Sequence, residues 1–543
     1  MVRGKLRIIR IVLSVAILIL ISAAFLELSG SAWHHRIHPL LHLQFIPSLL
    51  TFIGMFGVAG LGFLVILVLT LFFGRIYCSS LCPLGTLMDI VIYIRRKIKR
   101  PRFRFHKARN KLRYLILAGI LLSLVTGGLW LIDVLDPFSI FGKIINALGR
   151  PVFTMTNNLT VTVLNWFGVY SIYHTDQRFI ILPALFFATL MLLIIVVLSV
   201  FAGRLYCNTI CPVGSLLGLL SRVSFFRVRI SKSKCNTCGI CGSKCKAECI
   251  DMKIHEVDTG RCIGCFDCLN VCKSDAISYR FGFPRAVSFH ANPGKDQPSF
   301  SLITTTGGRR QFVATTTGLI LMLTGAGDLA GMAKGVQKRN RSSGKALPPF
   351  KWTTGLNDSL PVTPPGSLSI KHFTDYCIAC HQCVSVCPSN VLIPSFLEYG
   401  WAGVLQPRLD FMRSYCNYNC TLCSEVCPSG AILPVTVREK KTIQLGRSIL
   451  LPGLCVVYIK NQDCGACSER CPTKACHMVP WHGLSGPEID NTLCIGCGAC
   501  QHSCPTVPDK AIFVMGHEIH KQALLPKDTG KKKMIDLKEK FPF

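Results

Sequence analysis

Cys262-Ile263-Gly264-Cys265-Phe266-Asp267-Cys268-Leu269-Asn270-Val271-Cys272 places four cysteines at gaps of two, two and three residues. Three thiols in one tight loop can face a common point, and a fourth follows after a helical turn. That spacing suits a small iron–sulfur cube held by thiolates. The same unit stands upstream as Cys235, Cys238, Cys241 and Cys245. In two-cluster proteins the fourth cysteine of one motif serves the other cluster. Cys235, Cys238, Cys241 and Cys272 are therefore expected to hold one cluster, and Cys262, Cys265, Cys268 and Cys245 the second. Lys246 and Lys273 stand where such motifs usually carry proline. Zinc is the competing use of eight cysteines, but the third cysteine of each triplet suits a cube better.

Working outward, the pattern recurs four times near the C-terminus, each time ending in Cys-Pro. The sets are Cys377, Cys380, Cys383, Cys387; Cys416, Cys420, Cys423, Cys427; Cys455, Cys464, Cys467, Cys471; and Cys494, Cys497, Cys500, Cys504. Longer first gaps in the second and third sets are insertions that a loop can absorb. Six [4Fe–4S] clusters are expected. Cys377-Ile378-Ala379-Cys380-His381 also reads as a c-type haem attachment site, but haem would strand Cys383 and Cys387. Cys249 and Cys476 are left over and read as buried thiols. The chain has 30 cysteines, and a disulfide framework would not repeat ferredoxin spacing.

Half of the 543 residues are hydrophobic, and mean hydropathy is +0.42. That points to membrane spans. The net charge of +32 fits nucleic-acid binding or basic cytoplasmic loops; the apolar runs favour the loops, so no nucleic-acid partner is expected. Four apolar segments, Ile8–Leu26, Phe45–Phe73, Leu112–Leu135 and Phe179–Phe201, are near or above spanning length, and Gln311–Ala330 is a weaker fifth. Arg10 is expected to snorkel to the interface. The basic N-terminus and the eleven Lys/Arg from Arg95 to Arg113 should be cytoplasmic. His34–Gln44 and Asp136–Arg178 are then external. Arg309-Arg310 ahead of the fifth segment reads as a twin-arginine export signal, or as two anchoring charges before an ordinary span. Lys334, Lys338, Arg339, Arg341 and Lys345 oppose export by charge, although long domains translocate largely regardless of it.

An internal repeat lies at the ends of spans two and four. Gly74-Arg75-Ile76-Tyr77-Cys78-x3-Cys82-Pro83-Leu84-Gly85 matches Gly203-Arg204-Leu205-Tyr206-Cys207-x3-Cys211-Pro212-Val213-Gly214 at an offset of 129. Repeated halves place matching sites at a shared interface. Cys78, Cys82, Cys207 and Cys211 are thus either one four-thiolate metal site at the cytoplasmic membrane edge or structural or transiently oxidised thiols. Gly-Arg-Ile-Tyr and Gly-Arg-Leu-Tyr read as membrane-edge turns, not phosphate cradles.

The expected fold class is membrane α-helical, four spans plus a weaker fifth, with two α+β ferredoxin-type domains. Its parts are residues 1–225 (membrane), 226–285 (two clusters), 286–335 (linker and fifth segment), 336–525 (four clusters) and 526–543 (basic tail).

The paired Cys-x3-Cys-Pro repeats followed by two cluster motifs resemble the NapH-type polyferredoxin family, with NosR-like and CcoG-like proteins, over about residues 1–280. The twin-arginine segment, Pro364-Pro365-Gly366-Ser367 and the four C-terminal motifs resemble NapG-type exported ferredoxins over about 307–520. The two look fused, which departs from the family pattern, and no covalent-flavin motif of the NosR kind is present. The resemblance implies a quinol dehydrogenase subunit or electron carrier of the inner (cytoplasmic) membrane. Its implied partners are the lipid bilayer, the quinone pool, an extracytoplasmic redox protein and a cytoplasmic donor. Residues 226–285 would be cytoplasmic and 336–543 periplasmic. The alternative is an accessory metal-reducing or maturation factor of a respiratory enzyme. For a quinol site, which needs a proton acceptor, the external candidates are His34, His35, His38, His42 and Asp136.

Overall fold

A long apolar run with its basic residues gathered at one end forms the helix α1 (Val2–Leu26). At 1.5 Å per residue it is about 37 Å long, enough to cross a bilayer core of ~30 Å. In this computed structural model the described residues are 2–26, 39–55, 58–98, 103–125, 128–175, 181–282 and 360–525. The fifth segment, Arg309-Arg310, the linker, the charges from Lys334 to Lys345, the basic tail and His34, His35 and His38 lie outside them.

The second apolar segment is not one helix. It forms α2 (Phe45–Met55) and α3 (Gly62–Phe73), each too short to cross alone. The chain doubles back between them. A Cβ on Gly60 would lie 2.5 Å from Phe52 Cα, so only glycine allows this approach. Ser48 Oγ donates to Gly60 O (2.9 Å) and accepts from Phe63 N (2.8 Å), satisfying a helix-start amide that would otherwise be orphaned. After α4 (Pro83–Ile98), the third segment likewise divides, into α5 (Asn110–Val125) and α6 (Trp130–Leu135). The expected external loop Asp136–Arg178 instead opens with the buried helix α7 (Pro137–Ile144). Asp136 caps it by accepting from Ser139 N (2.8 Å), with Pro137 at the first position. α7 runs on through a π turn into α8 (Arg150–Trp166). The fourth segment is α9 (Leu182–Ala202), followed by α10 (Pro212–Leu220).

Among the described residues, α1 and α9 are the two helices long and apolar enough to span a membrane. Their outer faces carry Ile8, Ile9, Val12, Leu182, Phe186 and Leu193, all exposed. A belt of this kind suits acyl chains.

The insert that follows is framed by an antiparallel pair, β1 (Phe226–Ile230) and β4 (Ile277–Phe281), with a two-residue ladder, β2 (Ile250–Asp251) and β3 (Glu256–Val257), inside it. The C-terminal part adds β5 (Leu392–Pro394) with β6 (Pro407–Leu409), β7 (Ile443–Leu450) with β10 (Ile512–Gln522), and β8 (Cys476–Trp481) with β9 (Leu484–Ile489). Insert and C-terminal part meet opposite ends of α1. Arg7 Nε pairs with Asp267 Oδ1 of the insert (2.9 Å). Ala24 O accepts from Gln382 Nε2 of the C-terminal part (2.7 Å). One hydrophobic core runs from insert residues such as Ile263, through the helices, to Ile378 and Cys380.

Candidate metal centres

All 30 cysteines are unbridged, so no disulfide framework exists. In the four motifs with regular spacing, the residues two and four places after the first cysteine have positive φ. These are Thr237 and Gly239, Gly264 and Phe266, Ala379 and His381, and Gly496 and Gly498. Repeated left-handed turns direct backbone N–H groups into the loop, a cradle for anionic sulfur. The Ala379 amide, for example, donates to Cys377 Sγ (3.4 Å).

The grouping is crosswise. Cys241 lies within electrostatic range of Cys235, Cys238 and Cys272, and Cys268 within range of Cys262, Cys265 and Cys245. The C-terminal motifs pair in the same way, which the spacing of the irregular motifs did not reveal. Cys377, Cys380 and Cys383 gather with Cys427. Cys416, Cys420 and Cys423 line a void with Cys387. Cys494, Cys497 and Cys500 line another with Cys471. Cys455, Cys464 and Cys467 remain for Cys504. Thiols spread around a void fit a multi-iron cube. A haem at Cys377-x2-Cys380-His381 is disfavoured, since His381 Nε2 is engaged with Leu405 O (2.8 Å) and both thiols gather with Cys383 and Cys427. Cys249 and Cys476 are buried as expected; Cys249 Sγ lies 3.5 Å from Cys245 Sγ.

The lysine that replaces proline after Cys245 has a structural role. Lys246 Nζ bridges Asp89 Oδ1 (3.4 Å) and Asp267 Oδ2 (3.2 Å), while Lys246 O accepts from Arg204 N (2.9 Å). Burial works against the charge of Asp267, but Lys246, Arg7 and Arg96 outweigh it and hold its carboxyl below the usual range. Arg10, expected to snorkel, is buried instead. It donates to Asp89 Oδ2 (2.8 Å) and Ser79 O (3.1 Å). Lys273 is exposed, and nothing in the structure explains it.

Cys78, Cys82, Cys207 and Cys211 come together in the helical core. Each is at most 5% exposed, because the chain turns inward after Gly74 and Gly203 and packs the thiols into the helical core. Arg75 and Arg204, passed over in the sequence as turn residues, are wholly buried beside them. Their signal was present: each precedes its Cys-x3-Cys-Pro unit by the same interval.

The first two C-terminal motifs dock on the helix ends. Ser139 Oγ donates to Ile378 O (2.6 Å), Thr51 Oγ1 to Pro428 O (2.8 Å), and Arg150 Nη1 to Ser385 O. Gln406 Nε2 reaches Asp133 Oδ2 (3.2 Å) and Cys377 O (2.9 Å). Beside this junction lies a cavity of about 510 Å³ lined by α8 and α9 residues and by His381, Val384 and Asn390. Of the sequence-stated quinol candidates that are described, Asp136 is the buried cap of α7, and His42 packs its carbonyl where a side chain on Gly62 would fall. Neither lines that cavity.

Known proteins point to iron–sulfur binding. Models described as "4Fe-4S binding domain" match residues 55–101 and 184–233, 262–276 and 487–507, and a "4Fe-4S dicluster domain" matches 376–432. An uncharacterized protein of Methanocaldococcus jannaschii is 31% identical over 226 residues, 41% of this chain and 78% of that protein. The ferredoxin-type protein NapH of Haemophilus influenzae is 25% identical over 249 residues, 44% of this chain and 71% of its own. A putative electron transport protein of Escherichia coli, YccM, is 25% identical over 213 residues, 38% of this chain and 51% of its own. No solved structure matches. Apolar spanning helices and such relatives give the chain a membrane location and an iron–sulfur electron-transfer role. With the thiols of two Cys-x3-Cys-Pro repeats gathered in a helical core and cluster motifs on either end of it, the chain belongs to the membrane polyferredoxin-type family that includes NapH, NosR, YccM and MauN.

Proposed function

We propose that the chain oxidises a membrane quinol and passes its electrons to an extracytoplasmic acceptor. The 24 cysteines of the six motifs are the ligands of six [4Fe–4S] clusters, the insert is cytoplasmic and the C-terminal domain periplasmic. The observation that carries the quinol assignment is the cavity of about 510 Å³ between α8, α9 and the first C-terminal motif. Its size is that of an ordinary small-molecule site. Its helical wall includes Thr154, Met155 and Ala184, and the neighbouring Val152, Leu159, Leu182 and Phe186 are exposed on the apolar belt, so a lipid-soluble ligand can approach from the bilayer side. Its far wall includes His381 and Val384, within the Cys377–Cys387 loop. Asn390 Oδ1 is buried there without a hydrogen-bond donor, and a quinol hydroxyl would supply one. Each quinol releases two electrons, taken one at a time by the adjacent cluster, and two protons to water on the C-terminal side.

The test is stopped-flow mixing of the anaerobic, cluster-loaded chain with a reduced quinol analogue. Thr154→Trp should fill the cavity and slow C-terminal cluster reduction by quinol at least about tenfold (a loss of ~1.4 kcal/mol), while reduction by dithionite stays unchanged. Replacing Cys235 and Cys262 by serine should leave quinol reduction intact. Unchanged quinol rates in Thr154→Trp would refute the cavity, and loss of quinol reduction in the Cys235/Cys262 variant would move the electron route to the insert.

A further inference from the structure

We propose that the open tip of the first insert motif, Asn236 to Ile240, with Lys232, Lys234, Lys244 and Lys273 around it, is the docking surface for a small acidic protein that carries one electron, of the ferredoxin or flavodoxin class. The inference goes beyond the quinol reaction. It rests only on the assignment of Cys235, Cys238, Cys241 and Cys272 to one iron–sulfur centre.

Exposure is the first ground. Of the 30 cysteines, Cys238 alone is exposed, and Cys235 and Cys272 beside it are half-buried. The four regular motifs share one loop shape, so their tips compare position by position. Two places after the first cysteine, Thr237 is exposed. At that place in the other motifs, a Cβ on Gly264 would lie 3.1 Å from Ile76, Ala379 is wholly buried, and a Cβ on Gly496 would meet Gly446 N at 2.5 Å. Four places after the first cysteine, a Cβ on Gly239 would meet nothing within 4 Å. There the other motifs have Phe266 and His381, both buried, and Gly498, whose Cβ would strike Phe411 at 2.0 Å. The chain's own packing seals three of these loops and leaves the first open. An unshielded thiol edge is where an outside redox group can come closest.

Charge is the second ground. Lys232, Lys234, Lys244 and Lys273 are exposed, and each stands within three residues of one of the four thiols. Asp275 is the one carboxylate within that distance. No other four-cysteine set of the six has a surplus above one positive charge on the same count. Around Cys377, Cys380, Cys383 and Cys427 the balance is negative, from Asp375 and Glu425. Three further carboxylates of the insert do not cancel the lysines, because they are engaged elsewhere: Asp258 with Arg261, Asp267 with Arg7, Arg96 and Lys246, and Glu248 with His106. The basic loop after α4 adds to the same side. Arg96 Nη2 donates to Lys244 O (2.8 Å) and Phe103 N to Ser243 O (3.2 Å), so exposed Arg104 is held beside the short helix Ile240–Lys244.

The partner follows from these two features. Ile240 and Cys238 give the tip a small apolar centre, and the lysines give it a positive rim. That arrangement fits a protein whose own redox group is ringed by carboxylates, since complementary charge steers encounter and fixes orientation. Transient electron-transfer encounters bury less than about 1,200 Å², which one loop and its rim can supply. Anionic lipid headgroups would also pair with lysines, but they make no use of an uncovered thiol. The reduced carrier gives one electron to the iron–sulfur centre and is itself oxidised by one. No bond forms or breaks. Cys268 stands within electrostatic range of Cys241, so the second insert set is next along.

The full chain, loaded with its clusters and held anaerobically in nanodiscs, provides the test. The probe is a purified acidic ferredoxin, reduced beforehand and mixed by stopped flow. Reduction of the wild-type chain should slow at least about tenfold between about 50 mM and 500 mM salt. Lys232→Glu, Lys234→Glu, Lys244→Glu and Lys273→Glu together should slow it at least about tenfold at low salt and abolish the slowing by salt, with iron content unchanged. Asn236→Trp, which covers the tip and alters no charge or ligand, should slow the reaction at low and high salt alike. A wild-type rate in either variant would overturn the proposal. Protection of Lys232 and Lys273 from an acylating reagent in phosphatidylglycerol nanodiscs, absent in phosphatidylcholine ones, would overturn it by assigning the lysines to headgroups. Quinol reduction of the C-terminal clusters should persist in both variants. A wild-type chain that takes electrons from quinol but not from the ferredoxin refutes this surface alone, and the reverse refutes the quinol cavity alone.

Discussion

Replacing Asp89 by asparagine keeps the side chain's size and removes one buried charge. The carboxylate is 12% exposed and meets Arg10 at 2.8 Å, Arg204 at 2.9 Å and Lys246 at 3.4 Å. Arg204 is wholly buried, and Arg10 and Lys246 are nearly so. The variant would leave three cations with one neutral amide among them. Removing one partner of a buried ion pair costs about 3–5 kcal/mol, because the remaining charge stays desolvated. Lys246 keeps Asp267 at 3.2 Å, so its share of the loss is smaller. The lower figure, ~3 kcal/mol, is therefore the expectation. At 1.36 kcal/mol per factor of ten, it corresponds to roughly a hundredfold. A detergent-solubilised membrane protein is best followed by its rate of irreversible inactivation. Loss of cluster absorbance at fixed temperature should run up to about a hundredfold faster in Asp89→Asn, less by whatever part of the network survives in the transition state. Arg10→Gln combined with Asp89→Asn should recover part of the loss, since one surplus cation goes with the carboxylate. An Asp89→Asn protein that decays within about twofold of wild type would refute the view that this carboxylate neutralises the core.

Gly85→Ala and Gly214→Ala each drive a methyl against a carbonyl at 2.3 Å and 2.1 Å; both should cost at least about 2 kcal/mol and lower the yield of folded protein, whereas Gly119→Ala, with open space around it, should not. Gln406→Ala removes the amide shared by Asp133 Oδ2, Thr374 O and Cys377 O; a loss of about 1–3 kcal/mol should show as faster limited proteolysis at the junction of helices and C-terminal domain, and an unchanged cleavage rate would count against that docking. His520 donates to or accepts from Thr363 Oγ1 (2.7 Å), and burial, with His517 nearby, lowers its pKa from 6.5 to about 4. The unfolded chain takes up a proton near pH 6.5 that the folded chain refuses until about 4, so this group's contribution is present above that window and is lost as pH falls through it. The loss approaches ~3 kcal/mol at the acid end; His520→Gln should flatten the difference in unfolding midpoint between pH 7.5 and pH 5, and a variant with the wild-type slope would disprove the assignment.

Much of the chemistry was legible in linear order because it is local. A Cys-x2-Cys-x2-Cys loop brings three thiols together within two turns of backbone, so spacing alone identified the four regular motifs, and the Cys-x2-Cys-x3-Cys-Pro ending the two irregular ones. Apolar runs identified the helices that became α1 and α9 for the same reason: length and composition decide whether a helix can lie in hydrocarbon. The direction of the chain inside such a run is not local. Phe45–Phe73 and Leu112–Leu135 read as continuous spans, yet the first folds back through backbone contact at Gly60 and the second divides before α6. A hydropathy sum does not register where a helix stops. Lys246 after Cys245 looked like a defect and is instead a bridge between Asp89 and Asp267, residues 157 and 21 positions away. The crosswise partners Cys427 and Cys387, and the meeting of Arg75 with Cys207 and of Arg204 with Cys78, likewise join distant segments. Sequence by itself determined the cysteine motifs, the apolar helices and the repeat, since each depends on neighbours a few residues apart. Only the tertiary structure decided which motifs share a site and where the four repeat thiols lie, because both follow from packing and charge balance between segments that meet only when the chain is folded.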